Sequence, residues 1–143
     1  MMPIVTISDE NYIPSDNEPF MNPQQLAYFH KKLLNWRIQL LRESTETIQQ
    51  MQNKFNNEAD IIDVACHEIN QALELRTRDR ERKLINKIDE AIRRIEEGSY
   101  GYCEETGEPI SLRRLEARPI ATMTIEAQER HERRERIYRE EVL

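Results

Sequence analysis

The stretch MNPQQLAYFHKKLLNWRIQLL, residues 21–41, predicts the start of a long amphipathic helix. Asn22 is a residue type that caps helix N-termini, and Pro23 suits the first helical position, where a backbone N–H has no partner. Apolar residues then recur three and four positions apart, which is the spacing of one buried helix face. These residues are Leu26, Phe29, Leu33, Trp36 and Leu40. The stretch therefore predicts a helix that packs along a single seam.

A second apolar series follows the break NNEAD at residues 56–60. It predicts a helix from about Asp63 to Glu97, and Gly98 is placed to end that helix. Its apolar positions are Ala65, Ile69, Leu73, Leu84, Ile88, Ile92 and Ile95. Two amphipathic helices of similar length with a short connection predict an antiparallel coiled-coil hairpin.

The rest of the chain divides around this hairpin. We expect an N-terminal arm at 1–21, the hairpin at 22–97 with its tip near 57–65, a ribbon-like insert at 98–123 and a C-terminal helix at 124–143. After Gly98, the insert contains the two remaining glycines and two of the six prolines, which favours a compact loop-rich structure. The predicted fold class is mainly α: a long antiparallel coiled-coil hairpin, a small globular ribbon-like base and a C-terminal helix.

Composition excludes several classes of function. The formal net charge is −6, which argues against direct DNA binding because non-specific binding needs a basic surface. The N-terminus lacks the features of a signal peptide, and no apolar run is long enough to span a membrane. We therefore expect a cytoplasmic protein with no membrane association, and we expect a monomer. The two cysteines are far apart in sequence, so no disulfide is expected.

The insert has the spacing of a four-cysteine zinc ribbon, with other residues at three of the four positions. The positions are Cys103, Thr106, Thr124 and Ala127. One thiolate cannot supply the four ligands of a structural Zn²⁺ site, so zinc is not expected. The threonines can instead hydrogen-bond to backbone or cap the last helix, around a small apolar core. That predicted core comprises Tyr100, Tyr102, Leu112, Leu115, Pro119 and Ile120.

Two longer motifs, ELRTRDRERKLI at 74–85 and LRRLEARP at 112–119, accompany this spacing. Together they resemble the DksA/TraR family of bacterial RNA polymerase regulators, from about Asn22 to the C-terminal helix. The resemblance implies a non-enzymatic protein that reaches through the secondary channel of RNA polymerase. It also implies action on promoter open complexes, for example at ribosomal RNA promoters, together with guanosine tetraphosphate (ppGpp) in the stringent response.

The resemblance points to acidic residues at the hairpin tip. Asp60, Asp63 and Ala65 match the D-x-x-D-x-A pattern of the family, where the acidic residues are required for action on polymerase. Carboxylates at the end of a narrow hairpin can pair with basic groups or perturb metal-centred chemistry. The alternative is that one of these aspartates only caps the second helix.

The resemblance also assigns ppGpp-binding residues, namely Arg80, Leu84, Lys87 and Arg118. Arginine and lysine suit a pyrophosphate, although salt bridges to neighbours such as Asp79 and Glu81 are an alternative role. Gln128 stands where the family has a further basic residue, which favours a weakened nucleotide response.

Two other functions stay open at this point. A transcript-cleavage factor also presents acidic residues at the end of a coiled-coil hairpin, and a plain coiled-coil scaffold needs neither an acidic tip nor a ribbon. The tip pattern and the motif at 112–119 favour the polymerase regulator.

Overall fold

The computed structural model describes the backbone of residues 11–57 and 61–142 and, within these ranges, the side chains outside 51–64. The described residues form four helices: α1 (Pro23–Asn57), α2 (Ile61–Glu97), α3 (Leu112–Ala117) and α4 (Ile125–Val142). In the described ranges the extended backbone forms one isolated antiparallel bridge, between Tyr102 and Pro109. The predicted mainly-α class is confirmed. None of the described helices combines the length and apolarity that a membrane span requires.

The N-terminus of α1 is fixed by two reciprocal side-chain contacts. The amide N–H of Gln25 donates to Asn22 Oδ1 at 2.9 Å, so Asn22 is the cap that its residue type predicts. The buried Gln25 side chain reaches back and accepts from the N–H of Met21 at 2.8 Å. It also donates to the carbonyl of Ser15 at 3.3 Å, which ties the preceding segment to the helix start.

The C-terminus of α2 is the glycine stop that the sequence predicts. Gly98 adopts φ +84, a conformation that favours glycine because it lacks a Cβ. The N–H of Ser99 donates to the carbonyl of Arg94 at 2.9 Å, and that of Gly98 donates to Ile95 at 3.3 Å. These two bonds are the Schellman pattern, which satisfies carbonyls that the helix leaves without partners.

The chain forms two compact units. The hairpin unit contains Leu33–Glu90, and the base unit contains Met1–Lys32 together with Ala91–Leu143. In the hairpin unit, Arg37 in the first half of α1 donates from Nε to Asp89 Oδ1 in the second half of α2, at 2.8 Å. This is the register of an antiparallel pair. Leu33 and Ile88 are fully buried in the same unit.

The middle of the helix pair in the hairpin unit is polar. Ser44 is half-buried on α1, and on α2 Glu74 and Arg78 form an ion pair at 2.7 Å. The Nε of Arg78 is buried and has no hydrogen-bond partner among the described atoms. The apolar seam that begins at Leu33 and Ile88 is therefore interrupted by charged and hydroxyl groups.

The base unit has a continuous apolar core around the ring of Tyr100. This ring lies 5.7 Å from that of Phe29, and its hydroxyl donates to the carbonyl of Pro119 at 2.7 Å. Of the predicted core residues, Tyr100, Leu112, Leu115, Pro119 and Ile120 are buried. Tyr102 is not a core residue, because it is 37% exposed and its ring meets the edge of Phe20 from the N-terminal segment.

Candidate functional site

The first candidate site is the turn that contains Cys103 and Thr106 in the base unit. The N–H of Cys103 donates to the carbonyl of Glu108 at 2.8 Å, and the N–H of Gly107 donates to the carbonyl of Cys103 at 2.9 Å. Thr106 Oγ1 accepts from the N–H of Glu108 at 3.3 Å. The turn is thus closed by hydrogen bonds across it.

The Cys103 thiol is buried in this turn and surrounded by hydrogen-bond donors. Burial by itself raises the pKa of a thiol, because it disfavours the charged form. Hydrogen bonds from the Thr106 side chain and from the backbone of Thr124, Thr106 and Glu105 outweigh burial and lower the pKa of Cys103 to about 7. The environment therefore stabilises a thiolate.

The other two positions of the four-residue spacing lie where α4 begins. Thr124 Oγ1 accepts from the N–H of Ala127 at 3.3 Å, and the Thr124 carbonyl accepts from the N–H of Gln128 at 2.9 Å. Thr124 therefore caps α4, one of the roles predicted for it. Ala127 is fully buried, so its methyl group fills the fourth position.

The donor chemistry of these four positions can be tested against zinc. A four-cysteine site supplies four thiolates, whereas this chain supplies one thiol, two hydroxyls and a methyl group. Within the described residues, His, Cys, Asp and Glu side chains form no cluster of three or more that could hold a metal ion. These residues do not fit a four-thiolate zinc site.

The second candidate site is the predicted tip of the hairpin. Asp60 lies outside the described residues. Asp63 lies in the first turn of α2, which begins at Ile61, and its side chain is also outside the described set. Ala65 is exposed on α2. Because Asp63 is inside the helix, it does not occupy the N-cap position.

The predicted nucleotide-binding residues are divided between the two units. In the hairpin unit, Arg80 and Lys87 are exposed on α2, while Leu84 is half-buried. In the base unit, Arg118 is exposed just after α3. Gln128, also in the base unit, donates from its side-chain amide to Glu132 at 3.1 Å. Neither Arg80 nor Lys87 forms an ion pair with Asp79 or Glu81 in the structure, so the alternative role suggested for them is absent at these described side chains.

Sequence reasoning missed a polar cluster that joins α1 to α3 in the base unit. Glu116 accepts from the hydroxyl of Tyr28 at 2.5 Å and from Lys32 Nζ at 2.8 Å. Lys32 also donates to the backbone carbonyl of Glu116 at 2.9 Å. The partners are 84 or more positions apart in the chain, so no local sequence pattern indicates that they meet. Only the folded structure identifies this cluster.

Comparison with known proteins identifies one family over most of the chain. Residues 25–95 match the family model of the DnaK suppressor protein DksA, N-terminal domain, and residues 98–133 match the prokaryotic dksA/traR C4-type zinc finger. The RNA polymerase-binding transcription factor DksA of Caulobacter vibrioides is 62% identical over 137 residues, covering 96% of each chain. The protein of the same name in Escherichia coli is 44% identical over 127 residues, covering 89% of this chain and 84% of that one.

A solved structure has the same fold. Transcription factor DksA2 from Pseudomonas aeruginosa superimposes with a TM-score of 0.75 at 43% sequence identity. The superposition covers 82% of this chain and 90% of that one. The helices described above are therefore those of an established architecture.

The match at 98–133 corrects the expectation about zinc. We expected that zinc is not bound, because three of the four ligand positions carry other residues, but the whole segment matches a C4-type zinc finger. The prediction that zinc is not expected is therefore wrong, because the segment matches a type of domain that is a zinc finger. The side chains at the four positions nevertheless depart from the four-cysteine set. The matches to both family models, with the extensive identity to relatives, show that this chain belongs to the DksA/TraR family.

Proposed function

We propose that this chain is a transcription regulator that binds bacterial RNA polymerase and catalyses no reaction itself. The observation that carries the proposal is the 62% identity, over 96% of both chains, to a protein named for RNA polymerase binding. The relatives are named as transcription factors rather than enzymes. An exposed helical hairpin with charged faces is a suitable binding surface for a large protein partner.

In this proposal the hairpin acts through the polymerase secondary channel. α2 has 37 residues, which corresponds to about 55 Å at 1.5 Å per residue. A helix of this length can reach a recessed active centre. Asp60 and Asp63 then supply carboxylates there, where a negative charge can pair with basic side chains or alter the environment of a bound metal ion.

We further propose that Arg80 and Lys87 contribute to the response to ppGpp. Both side chains are exposed on α2 and point their charges to solvent, so they can approach phosphate groups without breaking an existing ion pair. Half-buried Leu84 lies between them and supplies an apolar contact. Arg118 is an exposed arginine of the base unit and is a further candidate, because arginine suits phosphate recognition. It is tested by a separate variant.

The decisive experiment separates docking from regulation. The Asp63→Asn variant keeps the side-chain size and removes one negative charge from the first turn of α2, which weakens the helix by no more than about 1 kcal/mol. We expect this variant to compete with the labelled parent for RNA polymerase, yet to lose inhibition of a ribosomal RNA promoter and to leave its open complexes long-lived. Asp79→Asn, an exposed aspartate of the same helix, is the matched control and is expected to regulate like the parent.

Several outcomes contradict the proposal. Normal regulation by Asp63→Asn means that Asp63 has no regulatory role. Loss of binding together with regulation means that it acts in docking. Cleavage of the transcript in a stalled elongation complex by the parent protein identifies a transcript-cleavage factor instead, and absence of binding to polymerase identifies a scaffold.

A further inference from the structure

Four residues at the end of α3, with the sequence EARP at 116–119, are tied to α1 and to the loop after α2. We call them the EARP segment. Lys32 of α1 donates from Nζ to the backbone carbonyl of Glu116 at 2.9 Å and to its carboxylate at 2.8 Å. At the other end of the segment, the hydroxyl of Tyr100 donates to the carbonyl of Pro119 at 2.7 Å. The segment is therefore held at its first and last residues by side chains from other elements.

Both of these tethers begin at anchored side chains. Tyr100 is 2% exposed and its ring lies 5.7 Å from that of Phe29, so its hydroxyl cannot move away without exposing the ring. Lys32 Nζ lies 5.8 Å from the ring centre of Tyr28, whose hydroxyl also donates to the Glu116 carboxylate. Hydrogen bonds from groups that are fixed in this way hold the accepting backbone in place.

Arg118 lies between the two tethers. Its backbone N–H donates to the carbonyl of Arg114 at 2.7 Å, and its carbonyl accepts from the N–H of Ala121 at 3.0 Å. Its side chain is exposed and forms no hydrogen bond or ion pair with the described residues. Arg118 is thus an unengaged cation on a fixed backbone, which is a preorganised arrangement for binding an anion.

We propose that Lys32 and Tyr100 are positioning residues for the ppGpp response, because they hold the EARP segment in the arrangement that presents Arg118 to the nucleotide. This inference rests on the proposed function, since it concerns a residue that the proposed function assigns to ppGpp. A fixed backbone limits the region that the long arginine side chain can sample, which lowers the cost of ordering it on binding. When a tether is lost, Arg118 is correctly placed for only part of the time, and the apparent affinity falls by that fraction.

The test uses two variants that remove a tether and keep the packing. Tyr100→Phe removes the hydroxyl and keeps the buried ring, and Lys32→Met removes the ammonium group and keeps an unbranched side chain. The measured quantity is the Kd of labelled ppGpp for the complex of polymerase with each variant, after binding to polymerase alone is subtracted. Each variant is expected to raise this Kd about threefold, which corresponds to correct placement for about a third of the time. Binding of the variants to polymerase without nucleotide is expected to match that of the parent.

Matched controls lie beside both tethers. Tyr102→Phe removes a hydroxyl from a tyrosine of the same loop that is 37% exposed, and Lys31→Met removes the charge of an exposed neighbour on α1. Both controls are expected to bind ppGpp like the parent. Urea unfolding followed by circular dichroism checks that every variant is folded under the conditions of the binding assay.

A double-mutant comparison separates positioning from general support of the base unit. In a chain that already carries Arg118→Ala, Tyr100→Phe and Lys32→Met are expected to cause no further loss of ppGpp affinity, because the residue that they position is absent. A tether that only stabilises the base unit lowers the affinity by the same factor with and without Arg118. That result overturns the inference.

The remaining outcomes distinguish this inference from the proposed function. If the parent adds no ppGpp binding to polymerase, or if Arg118→Ala leaves that binding unchanged, the proposed role of Arg118 fails and the inference fails with it. If Arg118→Ala weakens ppGpp binding while either tether variant matches its control, the inference is wrong and the proposed role of Arg118 stands.

Discussion

Met21 and Gly101 are in contact, and both have positive φ values, +53 and +88. A Cβ atom added to Gly101 meets the Cε of Met21 at 2.9 Å and its Sδ at 3.2 Å. The N-terminal segment therefore lies against the loop after α2 at a point where only a glycine fits without displacement.

Gly101→Ala is expected to destabilise the base unit by about 1–3 kcal/mol, because it combines a strained φ with contact to Met21. The measurement is the free energy of unfolding in urea, followed by circular dichroism. Gly107→Ala is the matched control: its φ is +74, but no atom lies within 4 Å of the added Cβ. Equal losses in the two variants mean that the Met21 contact contributes nothing.

The cluster around Glu116 predicts a pH-dependent contribution to stability. Burial by itself raises the pKa of Glu116, but hydrogen bonds from Lys32 and Tyr28 hold it below its ordinary value of 4.5. A carboxyl group whose folded pKa is depressed stabilises the protein above its unfolded pKa, and this contribution is lost as the pH falls through the folded pKa.

Glu116→Gln is therefore expected to lower the free energy of unfolding at neutral pH by about 0.5–1 kcal/mol, allowing for the solvent screening of a partly exposed carboxylate. The difference between parent and variant is expected to vanish as the pH falls well below 4.5. Urea titrations at several pH values measure it, with exposed Glu108→Gln as the control. A difference that is constant with pH contradicts an electrostatic origin.

Thr124 provides a test of the capping interaction at α4. Thr124→Val keeps the shape of the side chain but removes the oxygen that accepts from the N–H of Ala127, so a loss of about 1 kcal/mol is expected. Thr124→Ser restores an oxygen at the same position and is expected to retain most of the stability. Similar unfolding free energies for the two variants indicate that the hydroxyl is not the stabilising group.

The nucleotide proposal concerns the ratio of inhibition with and without ppGpp, measured at saturating concentrations of each variant. Arg80→Ala, Lys87→Ala and Arg118→Ala are each expected to lower this ratio towards one, because each removes a cation suited to phosphate. Gln128→Lys adds a cation and is expected to raise it. Arg82→Ala, which removes an exposed cation of α2 outside the proposed nucleotide site, is the control and is expected to leave the ratio unchanged.

The sequence predicted the features that depend on local chemistry. Asn22 and Gly98 mark helix ends in the structure because capping and left-handed backbone geometry are properties of single residues and their neighbours. Contacts between distant segments could not be predicted in the same way. Tyr102 was assigned to the core on its residue type, yet the ring of Phe20 packs against it at the surface instead.

The prediction about zinc was wrong for a different reason. It was drawn from Cys103, Thr106, Thr124 and Ala127 alone, whereas the relationship to a C4-type zinc finger extends over residues 98–133. A relationship over 36 residues depends on many positions besides the four ligand positions. The tip aspartates were identified from the family pattern. Their residue type alone does not indicate function, because a carboxylate at a helix start also has an ordinary structural role.

The polar middle of the helix pair bears on how the hairpin unit moves. Leu33 and Ile88 are fully buried, whereas Ser44 and Arg78 are half-buried polar residues, and the Nε–H of Arg78 has no described partner. Local opening is easier where less apolar surface is buried. We therefore expect backbone amide hydrogens on either side of Arg78 to exchange with solvent deuterium sooner than those beside Ile88, so that the hairpin unit opens first where its buried surface is polar.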